Sequence, residues 1–216
     1  MALVRSLGAL VAIAMVFGVA TATGRAMDVR VLLLAGVVVA AFFSACITLI
    51  LSLSTARTVQ SAVLWIMGSL AAADWGAVSL TAAYTIPAAL LLLGFARPLN
   101  FMAIGEATAA YLGTDVDRVK RVALMVAALI TASGVAVAGV IGFVGLVVPH
   151  AIRLLIGPDH RALLPLSFLA GGAFLTLADL VARLALAPTE IPIGVITAFV
   201  GVPFFLALLR RSLTSA

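Results

Sequence analysis

Apolar residues run along this chain in long blocks separated by short polar and mostly basic stretches. A bilayer hydrocarbon core of about 30 Å is crossed by about 20 helical residues rising 1.5 Å each. Blocks of that kind fall at Leu3–Thr23, Val31–Ser54, Ala77–Ala96, Val122–Ile141, Gly142–Ile156, Leu163–Ala187 and Ile191–Leu209. They predict an all-α polytopic transmembrane bundle of about seven spans, joined by short interfacial helices. The fourth and fifth blocks are parted only by glycines and read as a tight re-entry. Thr58–Ala73 is apolar but covers only about 24 Å as a helix. It is expected to lie near the outer interface, with Trp65 and Trp75 as anchors.

The polar punctuation sets an orientation. Arg25, Arg30, Arg97, Arg118, Lys120, Arg121, Arg153, Arg161, Arg210 and Arg211 all fall between spans on one side, and only Arg5, Arg57 and Arg183 on the other. Basic residues concentrate on the cytoplasmic face of membrane proteins, so the ten-to-three bias places the C-terminus in the cytoplasm. Seven spans then leave the N-terminus outside. Three readings address this start. Thr58–Ala73 spans as well, giving eight crossings. Alternatively, the first block is a cleaved signal peptide ending near Ala20-Thr21-Ala22, which leaves six spans and reverses the bias. The third, preferred below, is that earlier spans are missing from this chain.

Composition agrees with a membrane protein. The chain is 65% hydrophobic and 10% charged, with a mean hydropathy of +1.32, whereas soluble domains carry about 25% charged residues. The net charge of +5 sits between apolar blocks rather than in one stripe, so nucleic acid is not indicated; membrane lipid is the surface it meets. Cys46, the single cysteine, lies inside an apolar block and reads as an inert buried thiol. His150 and His160 lack partners at metal-site spacing, so neither a metal site nor a cofactor is expected. No Walker loop, HExxH or GxSxG occurs, so the chain is not expected to be an enzyme. Gly36/Ala40, Gly134/Ala138 and Gly194/Ala198 have the small-xxx-small spacing that lets membrane helices approach closely.

The most informative stretch is Gly139–Arg161, a glycine-punctuated apolar run that stops at Pro149-His150 and is followed by Arg153, Asp159, His160 and Arg161. Further motifs are Leu33-Leu34-Ala35-Gly36, Trp65-Ile66-Met67-Gly68, Arg97-Pro98-Leu99-Asn100 and Gly105-Glu106 with Leu112-Gly113. Phe143-Val144-Gly145-Leu146, Asp159-His160-Arg161, Ala178-Asp179 with Ala182-Arg183, Glu190-Ile191-Pro192-Ile193-Gly194 and Gly201-Val202-Pro203-Phe204-Phe205 complete the series. In this order and spacing they resemble the permease subunits of ATP-driven importers for iron–siderophores, haem and cobalamin, from about Val31 onward. The family has ten spans, and the chain resembles the fourth through the tenth. It thus reads as one permease domain over 1–216, the C-terminal portion of that fold. The front departs from the pattern, implying a fragment, a misplaced start or a separate N-terminal half.

The resemblance also implies roles. Gly105–Gly113 reads from its residues as a short helix after the Pro98 break, with Ala107, Ala110 and Tyr111 on one face and Gly113 suited to its C-cap. From those residues alone an ordinary interfacial helix is the readier reading. The resemblance makes Gly105, Glu106, Ala107, Ala110, Tyr111, Leu112 and Gly113 the contact with the ATP-hydrolysing subunit, within a cytoplasmic segment over 97–121. Asp179 and Arg183 are four apart and suited to a helical ion pair. In the family the matching arginine faces a carboxylate of the substrate-binding protein, which implies a docking role for Arg183. Pro149, His150, Arg153, Asp179, Glu190, Gly201 and Pro203 are expected to be structural or gating positions, with Gly201 and Pro203 kinking or interrupting the last span.

The implied partners are a second permease copy, two cytoplasmic ATPases and a periplasmic or lipid-anchored binding protein, at the bacterial inner membrane. A non-transporting fragment or scaffold of the same fold is the alternative. A secondary transporter would want an internal inverted repeat, and none is evident in the sequence. The charge bias predicts that single cysteines at Gly105 and Ser212, in a Cys46→Ala background, resist a membrane-impermeant reagent in intact cells, while those at Asp74 and Thr189 react. Strong labelling at Gly105 or Ser212 reverses the orientation.

Overall fold

The computed structural model describes residues 2–22, 28–71 and 73–214; Arg25, expected in the first basic loop, lies outside them. Among the described residues the chain forms ten helices and no strand. They are α1 Ala2–Ala22, α2 Val29–Ser52, α3 Ala56–Ile66, α4 Trp75–Gly94, α5 Ala96–Ile104, α6 Glu106–Tyr111, α7 Val116–Ala138, α8 Val144–Ile156, α9 His160–Leu184 and α10 Ile193–Thr214. Several helices begin where a short polar side chain takes up free N–H groups. Asp28 accepts from Arg30 N, Thr55 from Thr58 N, Asp74 from Ala77 N and Asp115 from Arg118 N.

All seven apolar blocks are helical. Four helices, α2, α4, α7 and α9, are long and apolar enough to cross a membrane, whereas α8 and the apolar stretches Val11–Ala22 of α1 and Ile193–Leu208 of α10 are shorter. Within the span windows only 11% of α2 and 6% of each of the other three is buried inside the bundle. Leu33, Leu34, Val37, Leu90, Leu169 and Leu177 are each more than 60% exposed. An apolar surface this extensive is suited to lipid rather than water.

Two helices hold the bundle together. α7 packs against α1, α4, α5 and α6, and α9 against α4, α5, α8 and α10. Thr85 Oγ1 and Ser133 Oγ, 3.3 Å apart, add a polar link between α4 and α7 of the kind worth about 0.6 kcal/mol between membrane helices. The tightest packing lies where α9 ends and α10 begins. There Ala178, Ala182 and Ile193 are buried, with Leu70, Ile141 and Ile196 against them.

Beside this cluster three chain segments meet backbone to backbone. Ser69 N donates to Ala138 O at 2.9 Å, Ile193 N to Gly68 O at 3.2 Å and Gly194 N to Met67 O at 3.2 Å. Gly139 has φ +73, and a Cβ on it would overlap Trp65 O; a Cβ on Gly194 would stand 2.5 Å from Met67 O and 3.3 Å from Val140 O. This junction ties the end of α3 to the end of α7 and the start of α10.

Several expectations change. α3 stops at Ile66; its 11 residues cover about 16 Å and cannot cross a bilayer as a helix. The fourth and fifth blocks do not form a close hairpin: Gly139–Phe143 is non-helical, and α8 packs on α9 and α10. α10 runs uninterrupted through Gly201 and Pro203. Of the three small-residue pairs, only Gly194 meets another backbone; a Cβ on Gly36 or Gly134 would meet nothing within 4 Å, because those faces border open grooves.

The junction generates a contrast in tolerance. Gly194→Ala forces a methyl against two backbone carbonyls that cannot rotate away, so it is expected to cost about 1–3 kcal/mol. Gly36→Ala and Gly134→Ala enter open space and gain helix propensity. Thermal unfolding midpoints of the purified variants measure the contrast. Equal midpoints for Gly194→Ala and Gly36→Ala contradict a tight junction.

Candidate functional site

Arg97, Arg118, Lys120, Arg121, Arg153 and Arg161 lie where α4 gives way to α5 and α6, α7 and α9 begin, and α8 ends. α4 stops at Gly94 and α5 starts at once with Ala96, Arg97 and Pro98 in its first turn. Proline is tolerated there because a first-turn N–H has no intrahelical acceptor to lose. The stretch Arg97–Asn100 is helical, and the break expected at Pro98 falls before it, at Phe95. The chain then turns through Gly105 into α6, six residues long.

α6 ends in a Schellman motif. Gly113 N donates to Ala110 O and Thr114 N to Ala109 O, both at 2.9 Å, with Gly113 at φ +81. Its inner face is Ala109, fully buried. Ala107, Ala110 and Tyr111 form the outer face and are exposed, Tyr111 to 92%; the flanking residues Leu112 and Ile104 are exposed to 56% and 72%. The sequence thus placed these three residues on one face, and that face is open. Glu106 is held by Lys120 of α7, Oε2 to Nζ 2.6 Å, which fixes α6 against the start of α7.

A second polar contact was not anticipated. Asn100 of α5 donates through Nδ2 to Asp159 Oδ1 at 2.7 Å. Its Oδ1 accepts from the His160 backbone N–H at 2.8 Å and lies 2.7 Å from His160 Nδ1, which requires the tautomer with a proton on Nδ1. Asp159 is the N-cap of α9 and accepts from Arg161 N at 3.0 Å. The Arg161 N–H, then the Asn100 amide, hold its carboxyl below the usual value, with burial acting against them. A carboxylate of lowered pKa contributes its capping above its unfolded pKa and loses it only as pH falls through the folded value, so the cap is fully charged at neutral pH.

The remaining expected positions are dispersed. Pro149 lies within α8 without breaking it. The His150 ring meets Phe204 of α10 edge-on at 6.4 Å and takes part in no metal-type cluster; none occurs among the described residues. Arg153 is exposed in the last turn of α8, where its charge suits the helix C-terminus. Pro203 borders an apolar groove of about 650 Å³ with Met67, Phe143 and Phe199, and a Cβ on the buried Gly201 would overlap the Phe143 side chain.

At the opposite end Arg183 Nε donates to Asp179 Oδ2 at 2.8 Å, the arginine side chain 42% exposed and the aspartate 23%. The helical pair expected from the spacing therefore forms, and the guanidinium still reaches the surface. Glu190, exposed in the link to α10, lies within electrostatic reach of it.

A helical bundle with four helices long and apolar enough to cross a bilayer, and with an apolar outer surface, is that of a multi-pass membrane protein. The chain belongs to the FecCD transport family, which it matches over residues 1–211. It is 47% identical over 203 residues to the cobalamin import system permease protein BtuC of Halobacterium salinarum, covering 94% of this chain and 54% of that protein. To the hemin transport system permease protein HmuU of Yersinia pestis it is 42% identical over 180 residues, covering 83% and 54%. With the Fe(3+) dicitrate transport system permease protein FecD of Escherichia coli K12 it shares 43% over 180 residues, covering 83% and 56%. The fold matches a solved metal-chelate type ABC transporter in an inward-facing conformation, with a TM-score of 0.80 and 32% identity over 85% of this chain and 60% of that one. The chain spans about half the length of the curated relatives it matches.

Proposed function

We propose that the chain acts as a transmembrane permease subunit of an ATP-binding-cassette importer for a metal chelate of the iron–siderophore, haem or cobalamin class. The observation that carries this reading is α6: an open face of Ala107, Ala110 and Tyr111 on the basic end, backed by a fully buried Ala109 and pinned through Glu106 to Lys120. A small face with one protruding aromatic ring is suited to sit in a groove of a partner. The partner is the cytoplasmic ATPase, and the catalytic chemistry is its own. Closure of two ATPases would then move the coupling helices and switch the pathway between outward- and inward-open states. The permease works as a homodimer with the pathway between the copies, in the bacterial inner membrane with its C-terminus cytoplasmic. Arg183 meets a carboxylate of the external substrate-binding protein. Membership of the FecCD transport family and the names of the relatives support the substrate class.

Two expectations test this reading. Ala107→Trp or Ala110→Trp should weaken co-purification of the ATPase at matched membrane levels; overpacking a close contact costs about 1–3 kcal/mol, or roughly a five- to 150-fold loss of affinity. Retention of the ATPase by both variants removes the coupling assignment and leaves a scaffold of the same fold. At the other end, Arg183→Glu should impair uptake without lowering abundance, and charge reversal of the binding protein's docking carboxylate should restore part of it. Loss of the protein from the membrane instead assigns Arg183 to its ion pair with Asp179 alone.

A further inference from the structure

The coupling segment is tied to the bundle by two polar contacts, and each falls within the first two turns of a long helix. Glu106 holds Lys120, at the start of α7. Asn100, one turn before the end of α5, closes onto Asp159 and His160, at the start of α9. The far ends of the same two helices meet the backbone junction: Ala138 O of α7 accepts from Ser69 N, and Ala178 and Ala182 of α9 pack on Ile193, whose N–H donates to Gly68 O. α9 has 25 residues, and from His160 to Ala182 it reaches about 33 Å. We propose that Asn100, Asp159 and His160 form a clamp that makes the coupling segment move as one body with α9. Asn100 is thus a positioning residue through which displacement of α6 reaches the junction of α3, α7 and α10.

The chemistry of the clamp demands an asparagine. Its Oδ1 takes a free N–H of the α9 N-terminus, a group that has no acceptor within its own helix. The Nδ2 group at the same time donates to a carboxylate, a charge-assisted bond of the stronger kind. Alanine supplies neither group. Aspartate keeps the acceptor for His160 but turns a second carboxylate oxygen toward Asp159. A Glu106–Lys120 pair alone would tie α6 to α7 and leave α5 held on α9 by apolar packing, with no directional bond to fix its register. Two polar ties on separate helices fix that register, so that a push on α6 is not absorbed by a hinge beside it.

The inference rests on the coupling role assigned to α6, and the test separates the two. In the full-length importer reconstituted with its ATPase and binding protein, uptake per ATP hydrolysed is compared for wild type, Asn100→Ala, Asn100→Asp and the exchange Asn100→Asp/Asp159→Asn. Comparison is made at matched ATPase co-purification and with unfolding midpoints recorded. Asn100→Ala is expected to lower the ratio about five- to tenfold, the scale on which one such hydrogen bond acts, and Asn100→Asp to lower it further. The exchange restores the inter-helix bond with donor and acceptor reversed, and should recover part of the ratio even though it weakens the Arg161 cap. An order that follows hydrogen-bond complementarity, independent of the midpoints, supports a positioning role. An unchanged ratio in Asn100→Ala, or an exchange variant no better than Asn100→Asp, overturns it. If Asn100→Ala does not accumulate, the single and double aspartate variants decide the question alone. Should Ala107→Trp and Ala110→Trp also retain the ATPase, the coupling reading itself has failed; if either detaches it while Asn100→Ala keeps the ratio, only the clamp is lost.

Discussion

Backbone amides in a hydrocarbon environment have no water to turn to, so any interruption of a helix there must find its hydrogen bonds within the protein. The junction of α3, α7 and α10 meets that constraint. Its three inter-segment N–H groups, on Ser69, Ile193 and Gly194, each reach a carbonyl of another segment. The approach needed for those bonds leaves no room for a Cβ at Gly139 or Gly194. The shortness of α3, the non-helical link before α8 and the start of α10 all follow from this meeting of backbones. The long helices are then arranged around it.

Packing elsewhere is light and made of small side chains. The described buried core consists mainly of alanine and valine, which suits association in lipid, where close helix approach and dispersion matter more than removal of apolar area from water. Apart from the Thr85–Ser133 contact, the polar links between helices among the described residues are placed near helix ends. Asp159 is used twice, as the N-cap of α9 and as the acceptor for Asn100, and Glu106 joins the shortest helix to one of the longest. A bundle with so little internal adhesion takes much of its shape from these terminal contacts.

The sequence revealed the elements better than their meetings. The seven apolar blocks were legible because helical length and hydrophobicity are local properties, and Asp179–Arg183 was legible because a spacing of four lies within one helix turn and a half. The open face of α6 followed from the same periodicity. α5 was missed because Pro98 was taken to end a helix, when its place in the first turn allows it to open one. The contact of Asn100 with Asp159 spans 59 positions, and no local pattern announces it, although both residues stood inside motifs that the resemblance had singled out. Gly36 and Gly134 showed the converse error: their spacing resembles that of Gly194, but small-residue spacing does not say whether another backbone is there to be met.

The brevity of α6 has a consequence for anything designed to imitate it. Six residues lie well below the length at which a helix holds itself together in water, because nucleation is unfavourable and short segments gain too few bonds to offset it. Inside the protein its shape is imposed from outside, by the glycine-capped end, by the buried Ala109 and by the grip of Lys120 on Glu106. A peptide copied from this segment would carry the same exposed residues and, on meeting any partner, spend much of its interaction energy on becoming ordered. A stapled or cyclised mimic, in which the turn is fixed in advance, recovers the ordering that the bundle supplies to α6 and leaves its outer face unchanged.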